Sequence, residues 1–185
     1  MSHPSRIAVP AILDAANALV AEAGAERVSM REVARRLGVS APSLYFHVAS
    51  REALLDLVIR EGLRRLGESL QAHVRGAIST RVIVRRMGEG YVQFGLANPH
   101  LFSLLFGPCD PESDRAEASD LASRTLLDVV ATLVPEDDVL PVAQTLWSFV
   151  HGFTMLKLNG RFQLGDPDRT LDRGLELILD GLGIH

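Results

Sequence analysis

Residues 27–51 read RVSMREVARRLGVSAPSLYFHVASR, and this stretch decides the fold. It predicts two short helices joined by a tight turn, then the start of a third. Ser29 is placed to cap the first helix, with Glu32 three residues on completing a capping box. Val33, Ala34 and Leu37 supply the inward stripe, with Met30 partly inward. Gly38 ends the helix, because glycine enters the left-handed region at no steric cost. Val39 fills the turn. Ser40 is placed to cap the second helix, with Pro42 in its first turn, where a missing N–H does no harm. Two helices linked by a short glycine-containing turn make a helix-turn-helix.

The outward face of the second helix carries the functional signal. At about 100° per residue, Leu44 and Val48 share one side with Ala41 near them. The opposite side centres on Pro42 and Phe46, flanked by Ser43 and Tyr45, with His47 at the border. A phenylalanine facing water beside Tyr, His and Ser marks a partner surface. Two readings stay open on these residues alone: DNA recognition, and packing of Phe46 on another part of the chain.

The stretch resembles the DNA-binding helix-turn-helix of the tetracycline-repressor (TetR) family of bacterial regulators. The resemblance rests on Leu37-Gly38-Val39-Ser40, Leu44-Tyr45-Phe46-His47 and Ser50-Arg51-Glu52-Ala53-Leu54-Leu55. Arg51 stands where the family usually has Lys. It keeps the positive charge but presents a planar fork instead of a point charge. The resemblance implies an all-α fold of about nine helices, with a three-helix DNA-binding domain at 1–49 and a ligand-binding and dimerisation bundle at 50–185. It implies base contacts from Arg31, Ala41, Pro42, Ser43 and Phe46. Arg31 would hold a guanine, and Pro42 or Phe46 would touch a thymine methyl. Tyr45, His47, Arg51 and the helix start at Ser29 would hold phosphates, with Ser40 at the head of the reading helix.

Composition fits a folded helical chain. The 185 residues are 47% apolar and 23% charged, which excludes a disordered chain. Net charge is −4. Its distribution is uneven: residues 1–60 carry seven Arg against six acids, and the remainder is acidic. A local excess of +1 is small for a DNA-binding module. Binding therefore has to rest on where Arg27, Arg31, Arg35, Arg36 and Arg51 point, and non-specific affinity should be modest. The single Cys, Cys109, excludes an internal disulfide and suits a reducing cytosol. Its Gly-Pro-Cys-Asp-Pro loop reads as an inert thiol rather than a redox switch. The N-terminus shows no secretory signal, and the expected location is cytoplasmic. Val139–Leu156 lacks Asp, Glu, Lys and Arg, but Pro141, Gln144, Thr145, Ser148, His151 and Thr154 make it too polar for a membrane span.

The rest of the chain repeats helical spacing with almost no strand-like alternation. Helices are predicted over 7–23, from Ser50 to about Arg75, over 78–97, from His100 to Phe106, from about 115 to 133, from about 139 to 160, and over about 169–182. The third of these ends at Asn98-Pro99, since the residue before proline avoids helical geometry. Residues 91–102 and the pattern Trp147-x-x-x-His151-Gly152 also resemble a branch of the TetR family.

Candidate pocket residues are Tyr91, Phe94, Phe102, Leu105, Trp147, His151 and Met155. Trp147, His151 and Met155 recur every four residues and so share a face. Aromatics at helical spacing are more often core than ligand contacts, and His151 is as readily a satisfied core histidine. No metal-ligand spacing, P-loop, dinucleotide fingerprint or nucleophile elbow occurs, so no cofactor and no enzymatic activity are expected. Leu171, Leu175, Ile178 and Leu182 repeat at helix-pairing spacing. They suggest a homodimer through the last two helices, with covering of the subunit's own core as the alternative. The expected function is a repressor that binds a palindromic operator as a dimer and is released by a small, largely apolar effector. The other readings are a helical small-molecule or protein-interaction module without specific DNA binding, and an enzyme using His151.

Overall fold

A computed structural model describes residues 8–107 and 115–184, without the side chains of 115–122. The loop containing Cys109 lies outside the described residues. Among those described there are nine α-helices, one 3₁₀ turn and no strand. The helices are α1 Val9–Ala23, α2 Met30–Leu37, α3 Ala41–Leu44, α4 Arg51–Val74, α5 Thr80–Ala97, α6 Pro99–Leu105, α7 Arg115–Ala131, α8 Glu136–Leu158 and α9 Pro167–Gly181. The 3₁₀ turn is Ala25–Arg27. The boundaries fall within a few residues of those predicted, because caps and prolines set them. Asn98 precedes Pro99 at the α5–α6 break, and the Ser50 hydroxyl caps α4 by accepting from Ala53 N–H at 3.1 Å.

The chain divides into two compact units. The first runs to Gly62 and resumes at Asn98 with α6; the second holds Leu63–Ala97 and everything from Ser119 onward. This partition cuts α4 rather than falling at residue 49, and it takes α6 into the first unit. The reason is packing: α6 lies against α1 and the 3₁₀ turn. Gly62 lets it sit close to α4, since a Cβ there would meet the Leu105 and Leu101 side chains at 2.8 and 3.0 Å.

In the first unit α1 buries Ile12, Ala16, Leu19 and Val20, and α4 contributes Leu54, Val58 and Ile59. Met30 is buried rather than partly inward, while Leu37 is only half-buried. In the second unit α5 packs on α8 and α9. One core cluster there is Val84, Val130, Ala143, Leu146 and Leu179.

The apolar stripe of α9 goes to the chain's own core. Leu171, Leu175 and Leu179 are all buried. Leu175 lies 3.0 Å from where a Cβ on Gly88 of α5 would stand. The repeat expected for a subunit contact is therefore consumed inside the subunit, and it continues at Leu179 rather than at Leu182. No helix among the described residues is long and apolar enough to cross a membrane. Val139–Leu156 forms most of α8, with Pro141 inside the helix.

Gly90 shows how tightly α4 and α5 meet within the second unit. A Cβ there would stand 2.7 Å from His73 Cγ. The His73 ring is fixed in turn, with Nδ1 2.7 Å from the Ser69 carbonyl and Nε2 3.1 Å from Gln93 Oε1. Alanine is the better helix former by about 1 kcal/mol, yet Gly90→Ala should cost about 1–3 kcal/mol in urea unfolding because the clash falls on the stem of a held ring. In a His73→Ala background that cost should vanish.

Candidate nucleic-acid interface and polar cluster

Two local arrangements carry chemistry, one in each unit. The first is the helix-turn-helix. Ser29 caps α2 by accepting from Glu32 N–H at 3.2 Å. The reciprocal half of the capping box is not made. The Glu32 carboxylate takes a two-pronged contact from Arg35, at 2.9 and 2.5 Å. Gly38 closes α2 in the left-handed region at φ 68°. The reading helix is shorter than predicted: α3 stops at Leu44, and Tyr45, Phe46 and His47 form a turn. Ser40 makes no side-chain cap; instead its carbonyl accepts from the Ser43 hydroxyl at 2.6 Å. Leu44 and Val48 are buried as their spacing requires. They turn Phe46 outward, where it is 88% exposed, beside Tyr45 at 53%. Pro42 and His47 are exposed, and Ala41 and Ser43 half-buried. Among the described residues Phe46 does not pack on another part of the chain.

The arginines sort into committed and uncommitted. Arg36 grips Glu22 of α1 through two contacts at 2.9 and 2.6 Å, and Arg35 is held by Glu32. The Arg36 guanidinium keeps the Glu22 carboxyl below the usual carboxylate range, and Arg35 does the same to Glu32. Arg51 turns inward. It donates from Nε to the Val28 carbonyl at 2.7 Å and from Nη2 to the Ala25 carbonyl at 2.9 Å. That is a brace, not the pose of a phosphate contact. Arg31 and Arg27 are exposed and make no ion pair with another described residue. The sequence counted Arg27 among the arginines on which binding rests but gave it no particular contact. Its exposure just before α2 depends on the 3₁₀ turn, which no local pattern announced.

The second arrangement joins Tyr91 of α5 to Trp147 and His151 of α8. Trp147 Nε1–H donates to the Tyr91 hydroxyl at 3.1 Å, and that hydroxyl lies 3.0 Å from His151 Nδ1. The Trp147 and His151 rings stand 5.6 Å apart at 46°. Burial pushes the Tyr91 phenol well up, and the Trp147 hydrogen bond opposes this only in part. Burial pushes the His151 imidazole down, which favours its neutral form. Of the other pocket candidates, Phe94 is buried and Met155 half-buried in the same unit. Phe102 and Leu105 belong to the first unit. Phe102 is fully buried there, its ring 4.8 Å from that of Phe106, as befits a core residue.

An exposed aromatic and basic face on a capped helix-turn-helix, followed by a helical body, defines a DNA-binding regulator. The sequence profile described as "Tetracyclin repressor-like, C-terminal domain" matches residues 84–181, more than half of the chain. That described as "Bacterial regulatory proteins, tetR family" matches residues 12–58. The chain belongs to the TetR family, a family of transcriptional regulators. It is similar to the tetracycline repressor protein class D of Escherichia coli, at 35% identity over 95 residues, 46% of this chain and 44% of that protein. The match thus spans less than half of that relative's length. A solved structure of a protein of unknown function from Rhodococcus sp. RHA1 matches with a TM-score of 0.85 and 23% identity, covering 97% of this chain and 98% of the other. A TetR variant from Acinetobacter baumannii AYE in complex with minocycline matches at 0.69 and 19%, covering 96% and 97%. At these identities the two structures establish the fold.

Two outcomes follow from the arginine geometry. Arg51→Ala should destabilise the first unit by about 1–3 kcal/mol by taking the side-chain donor from the Val28 carbonyl, read by chemical denaturation. The Arg36–Glu22 and Arg35–Glu32 pairs should stabilise fully above the ordinary glutamate value of 4.5. Because folding lowers both carboxyl pKa values, that contribution is lost as pH falls below this value. Glu22→Gln should flatten the acid limb of a circular-dichroism pH titration, and the difference should shrink in high salt because the groups are exposed.

Proposed function

We propose that the chain is a ligand-responsive transcriptional repressor. In this reading a homodimer binds a palindromic operator in the cytoplasm, and a small, largely apolar effector releases it. Residues 1–49 serve DNA binding, and residues 50–185 serve effector binding and dimerisation. The observation that carries the reading is the 88% exposure of Phe46 at the tip of a helix-turn-helix whose neighbours Leu44 and Val48 are buried. Water-facing phenylalanine is poor surface design unless a partner covers it. The names of the relatives, a tetracycline repressor and a TetR variant bound to minocycline, support the ligand-responsive part.

In the complex Arg31, Pro42, Ser43 and Phe46 reach base edges from the exposed face, with Ala41 beside them. Ser29, Ser40, Tyr45, His47 and Arg27 lie against the sugar-phosphate backbone. Arg51 acts from behind by holding the reading segment in place. The two reading heads of a dimer sit about one helical turn apart, ~34–36 Å. Effector binding favours a body conformation in which α4 swings the heads out of register, and by linkage DNA and effector weaken each other equally.

Dimerisation uses the outward faces of α8 and α9. On α8 that face holds Thr145, Ser148, Gly152 and Leu156; on α9 it holds Leu177. Leu156 and Leu177 are 48% and 56% exposed, while Leu171 and Leu175 face the interior. No catalytic role and no cofactor are assigned.

Fluorescence anisotropy with DNA from upstream of the chain's own gene tests the reading. Arg31→Ala should cost about 1–3 kcal/mol and relax preference at one base pair, whereas Arg27→Ala should weaken all sequences alike and lower the salt slope by about 1. Phe46→Ala should weaken operator binding more than binding to scrambled DNA. The double substitution Leu156→Glu, Leu177→Glu should give a monomer in sedimentation and abolish operator binding. Equal affinity for operator and scrambled DNA would overturn the operator reading. It would favour a helical interaction module, a possibility to which the internal pairing of Arg35 and Arg36 lends weight.

A further inference from the structure

The tip of the helix-turn-helix joins a ring that cannot form a hydrogen bond to a face with few uncommitted charges. The Phe46 ring stands in solvent, while Leu44 and Val48 are buried and anchor the backbone on either side of it. Pro42, four residues earlier, is exposed and has no N–H to offer. Tyr45 ends in a hydroxyl, which suits a phosphate or a base edge. Arg35, Arg36 and Arg51 are engaged within the protein, by Glu32, by Glu22 and by the Val28 and Ala25 carbonyls. Phosphate neutralisation is correspondingly small, so apolar contact at the tip carries a large share of any discrimination between sequences. A phenyl ring finds one methyl group among the base edges of the major groove, the C5-methyl of thymine. Against the donors and acceptors of the other edges it would strip water without replacing the hydrogen bonds. Methylation of cytosine at C5 sets the same group in the same groove and leaves the N4 donor of that base intact.

We propose that Phe46 is a specificity-determining residue that reads the C5-methyl group of a pyrimidine, so that cytosine methylation at its contact point in the operator strengthens binding. The proposal rests on the operator reading given above and adds an input to it: the chemical state of the DNA, beside the effector. The ring has no atom that tells thymine from 5-methylcytosine, since the two differ at positions that only a hydrogen-bonding group can read. Its preference for thymine over cytosine therefore resides in the methyl group alone. Covering one such carbon changes affinity about fourfold.

Fluorescence anisotropy with the full chain and synthetic duplexes carrying the operator footprinted upstream of its own gene tests this. Thymines are replaced one at a time by deoxyuridine, which lacks only the methyl group. At one thymine in a half-site the replacement should weaken parent binding about fourfold, and in Phe46→Ala it should change nothing there. The same base pair is then exchanged for C·G, with the cytosine plain or C5-methylated. The parent should bind the methylated duplex about fourfold tighter, and Phe46→Ala should bind both alike. Because Phe46 lies in solvent, the variant should keep the parent's thermal midpoint. A duplex that the parent prefers over scrambled DNA but that holds no position sensitive to uracil would overturn the proposal. So would a methyl effect of undiminished size in Phe46→Ala, which would move the contact to another residue such as Pro42. Equal affinity for operator and scrambled DNA would overturn the operator reading itself, and the proposal with it.

Discussion

The front of this molecule depends on a single guanidinium. Arg51, the first residue of α4, reaches back to the carbonyls of Ala25 and Val28. Those two carbonyls flank the segment that leads into α2. The Ala25 carbonyl also accepts from Val28 N–H at 3.1 Å within the 3₁₀ turn, so Arg51 ties a turn that is already closed to the start of α4 and supplies a donor to the Val28 carbonyl. With it, the start of α4, the 3₁₀ turn and the entry to α2 form one piece. The burial of Val28, Leu44, Val48 and Leu54 then follows from chain geometry. A cation that the family resemblance assigns to phosphate is placed here inside the protein, where a planar fork reaches two main-chain oxygens at once and a lysine ammonium would not span them in the same way.

That placement also bears on how the helix-turn-helix is charged. Four arginines stand in its two helices and their flanks between residues 27 and 36. Two of them are tied to glutamates, one across α2 and one to α1. The aromatic and small polar side chains of the α3 tip, not a broad basic field, therefore dominate the exposed face. Recognition through such a face draws on shape and base edges more than on phosphate neutralisation.

Much of this was legible in the residues, for reasons that can be named. Helix ends were legible because Ser50, Gly38 and Asn98-Pro99 act on their immediate neighbours, so local chemistry settles them. The outward turn of Phe46 was legible because Leu44 and Val48, at i and i+4, cannot both be buried without it. The pairing of Arg35 with Glu32 was not read from the residues, because the capping-box pattern gave the same carboxylate another use. The Glu22–Arg36 pair, 14 residues apart, was not, because it depends on how α1 crosses α2. The inward turn of Arg51 depends likewise on a 3₁₀ turn without a sequence signature. On α9, spacing alone did not distinguish a stripe facing a partner from one facing the chain's own α5; Gly88, which makes room for Leu175, decides it. Trp147 and His151 were joined by their spacing, but Tyr91, which links them through its hydroxyl, lies 56 and 60 residues away.

The turn at Gly38 has a consequence that concerns chirality. Its φ of 68° is the mirror image of the helical region, and no atom stands within 4 Å of an added Cβ. An L-alanine would be strained there by its own backbone, not by its surroundings. A D-alanine, whose preferred conformations are inverted, would fit without strain and would restrict the unfolded chain at that point. The hinge of the helix-turn-helix is thus a site where handedness, not side-chain chemistry, is what the fold selects.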